Sequence, residues 1–476
     1  MDDGRRPVSA DVLDRIAALV GPKGLVTDTS DMAPYLVDQR NTYHGATPMV
    51  VRPASTAEVA AVVALCNETG TPIVPQGGNT GLCGAATPSG DGSELLVSLT
   101  RMNRIREIDA LNFTLTAEAG VILADIQKAA GEADRLFPLS LGAEGSARIG
   151  GNLSTNAGGT GVLRYGNARD LMLGLEVVMP DGRIWDGLSA LRKDNTGYDL
   201  KHLFAGAEGT LGIITTAVLK LFPRPRDIQT AFAAVRDADA AIEILSRARA
   251  VTDDRVTAFE WIARRGLDLV FSHIPNTRDP LGAIHAEYLL IELTSGHDDG
   301  SLRDALEGVL VDAMERGEVL DATIAESRAQ AADFWRLRET LPDAQLIEAA
   351  SIKHDISVPV SSVPEFLRTA DAALAAAMAG IRICAFGHIG DGNLHYNVIK
   401  PSDMDDDLFK GRLEEINRIV HDIAVSLRGS ISAEHGIGLL KRDELAHYKS
   451  PIALDAMRDI KRALDPNGIM NPGKVI

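Results

Sequence analysis

The chain has 476 residues, 45% apolar and 24% charged, enough to build two cores and too evenly mixed for global disorder. Its formal charge of −18, from 66 acidic and 48 basic residues, excludes nucleic acid and anionic lipid as main partners, because both demand concentrated positive charge. Three scattered cysteines, Cys66, Cys83 and Cys384, fit neither a disulfide framework nor a CxxC site, and no signal core or run of about 18 apolar residues occurs, so a cytoplasmic protein without a membrane span is expected.

Val12, Ile16 and Leu19 recur at helical spacing and predict a first helix over Val8 to Leu19. Short β-rich runs follow at Met49 to Ser55, Pro72 to Gly78 and Glu94 to Thr100. Between the first two, Ser55-Thr56-Ala57-Glu58 opens a helix over Thr56 to Glu68. Glycines crowd Pro75 to Pro88, Gly142 to Gly166 and Gly206 to Gly212. The first cluster frees backbone N–H groups for an anion such as a diphosphate, yet lacks both the Gly-Lys-Ser/Thr of a P-loop and a Gly-x-Gly-x-x-Gly that opens a helix. The second is small-residue rich enough to pack against something flat. The third runs into an apolar strand, where glycine also serves simply to end an element. Pro223 and Pro225 mark a boundary. Beyond it, Asp227 to Gly380 is alanine-rich and helical in pattern, with a helix beginning at Asp333 and a strand at Ser351.

The stretch Ala385 to Ile399 reads as a hairpin turning on Asp391-Gly392, which sets His388 opposite His395 with Cβ atoms about 5 Å apart, near enough to share a metal ion. Packing or hydrogen bonding of two histidines is the plainer alternative. In Ser432 to Gly438, Glu434 and His435 are adjacent in an extended segment and point opposite ways, so one can ligate while the other does something else. The tail, ending Asn471-Pro472-Gly473-Lys474, is turn-rich and folds back onto the first domain.

These three glycine segments, in this order and with this tail, resemble the vanillyl-alcohol oxidase family of PCMH-type FAD flavoproteins, in its D-2-hydroxyglutarate, D-lactate and glycolate dehydrogenase branch. The resemblance implies an α+β fold: a PCMH-type FAD-binding domain of two α+β subdomains over 1–225, an antiparallel-sheet substrate (cap) domain with flanking helices over 226–430, and a returning segment over 431–476. It implies that Gly77, Gly78, Asn79, Thr80, Gly81 and Leu82 wrap the FAD diphosphate. Gly142, Gly150, Gly151, Thr155, Asn156, Gly158, Gly161 and Tyr165 would hold the ribityl chain and ring, and Glu208, Gly209, Ile213 and Asn471 would complete the site. No histidine stands in the first loop, so the FAD is expected to be non-covalent.

By the same resemblance His388, His395 and Glu434 bind a divalent metal, zinc or manganese, and His435 is the base. Asn397 contacts substrate, while Arg338 and Lys353, in a pattern that starts at Trp335, grip its carboxylate. One departure stands out: relatives acting on D-2-hydroxyglutarate can carry a threonine four residues after the arginine, and this chain has Pro342, which offers no hydroxyl. The implied activity is metal-assisted oxidation of a D-2-hydroxy acid to the 2-oxo acid, with specificity for D taken wholly from the resemblance. Electrons would pass to an electron-transfer flavoprotein, quinone or cytochrome rather than to NAD, and a homodimer is left open. Two other readings are a glycolate oxidase subunit of the same architecture and a catalytically silent flavin- or metal-binding protein. The silent reading predicts loss of the base or ligands, and all four residues are present.

Overall fold

Residues 7–476 are described by a computed structural model, and their contacts fall into two units. The first comprises the described residues up to Gly158, then Asn167–Arg224 and Glu434–Ile476; the second comprises Gly159–Gly166 and Pro225–Ala433. The excursion over 159–166 departs from the contiguous division read from composition.

In the first unit the helix Ala10–Val20 is capped by Ser9 and buries Val12, Ile16 and Val20, leaving Leu19 largely exposed. The strands Val50–Val51, Leu95–Ser98 and Ile73–Gln76 are parallel neighbours in a four-stranded sheet, with Leu25–Val26 antiparallel at the edge. Parallel strands need a crossover, and the helix Thr56–Thr69 supplies the one from Val50–Val51 to Ile73–Gln76, which flank Leu95–Ser98. The Ser55 hydroxyl accepts from the Glu58 N–H at 3.2 Å while the Glu58 carboxylate accepts from the Ala54 N–H at 2.8 Å, a capping box displaced by one residue. A second sheet is antiparallel, ordered Ile105–Asp109, Thr114–Glu118, Ile213–Lys220, Met172–Val178, Ile184–Gly187. The tail joins the first sheet: Ile73 bridges Met470, and its N–H donates to the Ile469 carbonyl at 2.8 Å.

The second unit is built on an eight-stranded sheet. Its long strands are Asp227–Val235, Glu287–Ser295 and Val256–Ala263, followed by Arg382–Gly387 and Asn393–Ile399. Asp227 to Gly380 is therefore only partly helical. The alternation that would have revealed its strands is erased because helices cover both faces: Ala231, Ala233 and Val235 pack into one core while Phe232 and Ala234 pack into another. The helix expected from Asp333 begins earlier, at Arg328, where Ser327 accepts from the Gln330 N–H. The strand expected from Ser351 is broken into Ser351–Ile352 and Asp355–Ser357, both pairing with Asn393–Ile399. Between them the His354 ring bonds the Tyr396 carbonyl at 2.9 Å.

Candidate active site

In the first unit three glycine-rich segments converge. The first loop follows the strand Ile73–Gln76 and carries Gly77, Gly78, Asn79, Thr80, Gly81 and Leu82. A Cβ on Gly78 would overlap the Ser146 carbonyl, so the second segment approaches too closely for any other residue there. Asn79 adopts φ 55° and donates its side-chain N–H to the carbonyls of Pro34 and Val37, which anchors the loop from behind. Among the described residues the N–H groups of Gly78 to Leu82 bond no protein acceptor, as an anion cradle requires.

The second segment places Gly142 in a loop and turns Ile149–Thr155 into a short helix carrying Gly150, Gly151 and Thr155, closed by Asn156 in the left-handed region. Gly158 lies against Glu434: a Cβ there would come 2.6 Å from the glutamate's Oε1. In the third segment Glu208 hands its N–H to the Ser154 carbonyl, followed by Gly209 and by Ile213 at the head of its strand. The Glu208 carboxylate accepts from the N–H groups of Ile437 and Gly438 at 2.7 and 2.9 Å. Burial outweighs those bonds and pushes its pKa up to about 7. Its side chain therefore serves the 436–438 turn, a role the sequence did not reveal. Asn471 donates to the carbonyls of Ala85 and Glu208. Three buried polar atoms of these segments, Arg148 Nε, Asn152 Oδ1 and Asn471 Oδ1, lack a partner in the protein. Unpartnered buried polar atoms and open N–H groups around a close-approach loop fit a diphosphate-bearing cofactor. Gly161 and Tyr165 fall in the second unit, around the short helix Val162–Tyr165.

Replacing Gly78 with valine is expected to cost about 1–3 kcal/mol of cofactor binding by forcing the two loops apart. The ratio of visible to ultraviolet absorbance of the purified protein measures it, and a wild-type flavin content with a wild-type circular dichroism spectrum would contradict the cradle.

The second unit holds the histidines, and here the expected register is corrected. Phe386, not His388, pairs with His395; His388 opens the five-residue connection, ending at Gly392, between the two strands. A two-residue type I′ turn needs both central residues at positive φ, and of the Asp391-Gly392 pair only Gly392 (φ 84°) adopts it. Asp391 instead accepts from the Asn393 N–H at 3.1 Å. The loop nevertheless returns the His388 ring to within 5.6 Å of the His395 ring, centroid to centroid. His388 Nδ1 lies 2.6 Å from Oε1 of Glu260, whose Oε2 accepts from Arg338 Nε at 2.7 Å. Burial pushes the Glu260 carboxyl up, but His388 and Arg338 together outweigh it and hold it at about 2. The Arg338 guanidinium lies 4.7 Å over the Phe386 ring, and its Nη atoms make no hydrogen bond among the described residues.

Asp355, buried, is the cross-strand partner of His395 on the other side, and the two offer ligand atoms within 4.8 Å of each other. Neither Glu260 nor Asp355 was singled out in the sequence. The available signal was a lone acid within an apolar strand, Phe259-Glu260-Trp261, and an acid directly after His354. Asn397, two residues past His395, is buried and donates to Gln345 Oε1 at 2.8 Å. Lys353 follows the strand Ser351–Ile352 and is half-buried.

The chain leaves this unit at Ala433, whose N–H donates to the Asp355 carbonyl at 3.2 Å. Glu434 and His435 are the next two residues and open the last segment of the first unit. Their own ligand atoms also lie within 4.8 Å of each other. Imidazole nitrogens with carboxylate oxygens form a donor set suited to zinc or manganese.

Comparisons with known proteins agree in kind. A family model described as FAD linked oxidases, C-terminal domain, matches residues 224–475, and an FAD binding domain model matches 47–187. A mitochondrial D-2-hydroxyglutarate dehydrogenase of Arabidopsis thaliana is 38% identical over 96% of this chain and 80% of its own. A D-2-hydroxyglutarate dehydrogenase of Xanthomonas citri pv. viticola is 38% identical over 95% of this chain and 94% of its own. Among solved structures, p-cresol methylhydroxylase with substrate bound superposes with a TM-score of 0.76 at 18% identity, covering 98% of this chain and 96% of its own, a likeness of fold.

Proposed function

Since the chain belongs to the vanillyl-alcohol oxidase type of FAD-linked oxidases, in the branch of the D-2-hydroxy acid dehydrogenases, it is an FAD-dependent oxidoreductase, and we propose that it oxidises D-2-hydroxyglutarate to the 2-oxo acid with the help of a divalent metal. The observation that carries the metal is His388, held at Nδ1 by a buried carboxylate beside His395, the arrangement in which a histidine presents Nε2 to an ion. Family membership and the glycine cradle support non-covalent FAD held by the loop residues 77–82, by Gly142, Gly150, Gly151, Thr155, Asn156 and Gly158, by Glu208, Gly209, Ile213 and Asn471, and by Gly161 and Tyr165.

His388, His395 and Glu434 hold the metal in this reading. When bound, the metal lowers the pKa of the substrate hydroxyl and FAD supplies the hydride acceptor. Arg338, through its Nη atoms, and Lys353 take the substrate carboxylate groups, while Asn397 fixes the reacting end. His435 removes the hydroxyl proton as the C2 hydrogen departs. The electrons then leave for an electron-transfer flavoprotein, a quinone or a cytochrome. Among the described residues no helix is long and apolar enough to cross a membrane.

A second substrate is favoured by Pro342. It occupies the start of the helix Leu341–Glu348 where a threonine would offer a hydroxyl, and Thr340 cannot substitute because its hydroxyl is bonded to the Arg336 carbonyl at 2.8 Å. D-Lactate, which has no distal carboxylate to satisfy, is that alternative. Anaerobic mixing of the enzyme with D-2-hydroxyglutarate, D-lactate, D-malate and glycolate decides between them. The expected result is fastest loss of visible flavin absorbance with D-2-hydroxyglutarate; faster bleaching by D-lactate transfers the assignment to it.

A further inference from the structure

Glu260 belongs to neither of the ligand sets named above, yet it touches one member of each. It is fully buried on the strand Val256–Ala263, flanked by Phe259 and Trp261, in a place where a carboxylate is costly unless both oxygens are engaged. They are: Oε1 meets His388 Nδ1 at 2.6 Å and Oε2 accepts from Arg338 Nε at 2.7 Å. We infer that Glu260 is a positioning residue that locks the metal-binding His388 and the substrate-binding Arg338 into one unit, fixing the imidazole tautomer on one side and the guanidinium plane on the other. The inference rests on the roles given to His388 and Arg338 under the proposed function.

The chemistry of the two contacts makes the lock specific for a carboxylate. With Nδ1 donating to Glu260, the lone pair of His388 is on Nε2, the form that ligates. On the other oxygen, the bond at Nε orients the guanidinium so that its Nη pair presents a fork to a substrate carboxylate. A carboxamide has one acceptor oxygen and one donor nitrogen, so Glu260→Gln cannot accept from the imidazole and the guanidinium at once. Whichever way it turns, an N–H faces an N–H, and either His388 shifts its proton to Nε2 or Arg338 loses its anchor.

The test is made on the FAD-loaded full chain. Zinc affinity is measured by competition with a chromophoric chelator, and KM for D-2-hydroxyglutarate is measured beside it, for wild type, Glu260→Gln and Arg338→Gln. Glu260→Gln keeps one acceptor, so it is expected to lose one side of the lock at unchanged flavin content, raising KM if its carbonyl serves His388 and weakening zinc binding about 10–100-fold if it serves Arg338. Arg338→Gln, with the His388 bond intact, is expected to raise KM and leave zinc affinity at the wild-type value. The double variant E260L/R338L removes the acceptor and the buried charge together and is expected to show the zinc loss in a folded protein. Wild-type zinc affinity in E260L/R338L, or wild-type zinc affinity and KM together in Glu260→Gln, would overturn the inference and leave the proposed function standing. Failure of the wild-type enzyme to bind zinc or manganese at all would instead strike the metal reading, and this inference with it.

Discussion

Replacing His435 with alanine is expected to slow flavin reduction by about 10²–10⁴-fold, the ordinary contribution of a positioned general base. The flavin should remain bound, because the glycine loops proposed to cradle it are untouched. Zinc should also remain bound if, as proposed, its ligands are His388, His395 and Glu434. The loss should fall on the rate of flavin bleaching at saturating substrate rather than on KM, since a base acts on the transition state and not on the bound ground state. Stopped-flow absorbance under anaerobic conditions separates the two. A rate within a factor of about 3 of wild type, well short of what a base contributes, would remove His435 from the chemistry.

Arg338→Ala is the second large effect, and it is expected first in stability. Glu260 and Arg338 are both buried, with side chains only 1% and 8% exposed. Removing one member of a buried ion pair strands the other, at a cost of about 3–5 kcal/mol. The thermal midpoint followed by flavin fluorescence should therefore drop by several degrees, more than for alanine at Lys353, which is half-buried. Arg338→Lys keeps a charge for Glu260 and should recover most of the midpoint while leaving KM high, because an ammonium cannot fork onto a carboxylate. Equal midpoints for Arg338→Ala and wild type would mean that the pair contributes nothing to the fold.

The features that sequence revealed most readily were those written in local spacing. Three glycine segments with intervening strands identify the cofactor domain because close backbone approach leaves no residue but glycine at a position such as 78. The histidine pair was legible for a similar reason, since a hairpin converts separation along the chain into proximity. Its register was not, because Asp391-Gly392 resembles a two-residue turn and the longer connection depends on Asp391 bonding forward to Asn393. Glu260 was hidden altogether: it lies 128 residues from His388 and 78 from Arg338, and only the sheet brings the three together. The strands of the second unit were concealed by helices on both faces, which make runs such as Ala231 to Val235 apolar at successive positions and abolish the period-two pattern. The passage of residues 159–166 into that unit has no compositional mark at all.

Anaerobic bleaching of the flavin by D-2-hydroxyglutarate before EDTA treatment, after it, and again after zinc or manganese is restored tests the part given to the metal. The treated enzyme is expected to keep its FAD, to cease bleaching, and to recover on metal addition. Bleaching at the untreated rate by an enzyme shown to be metal-free would contradict the role given to His388, His395 and Glu434.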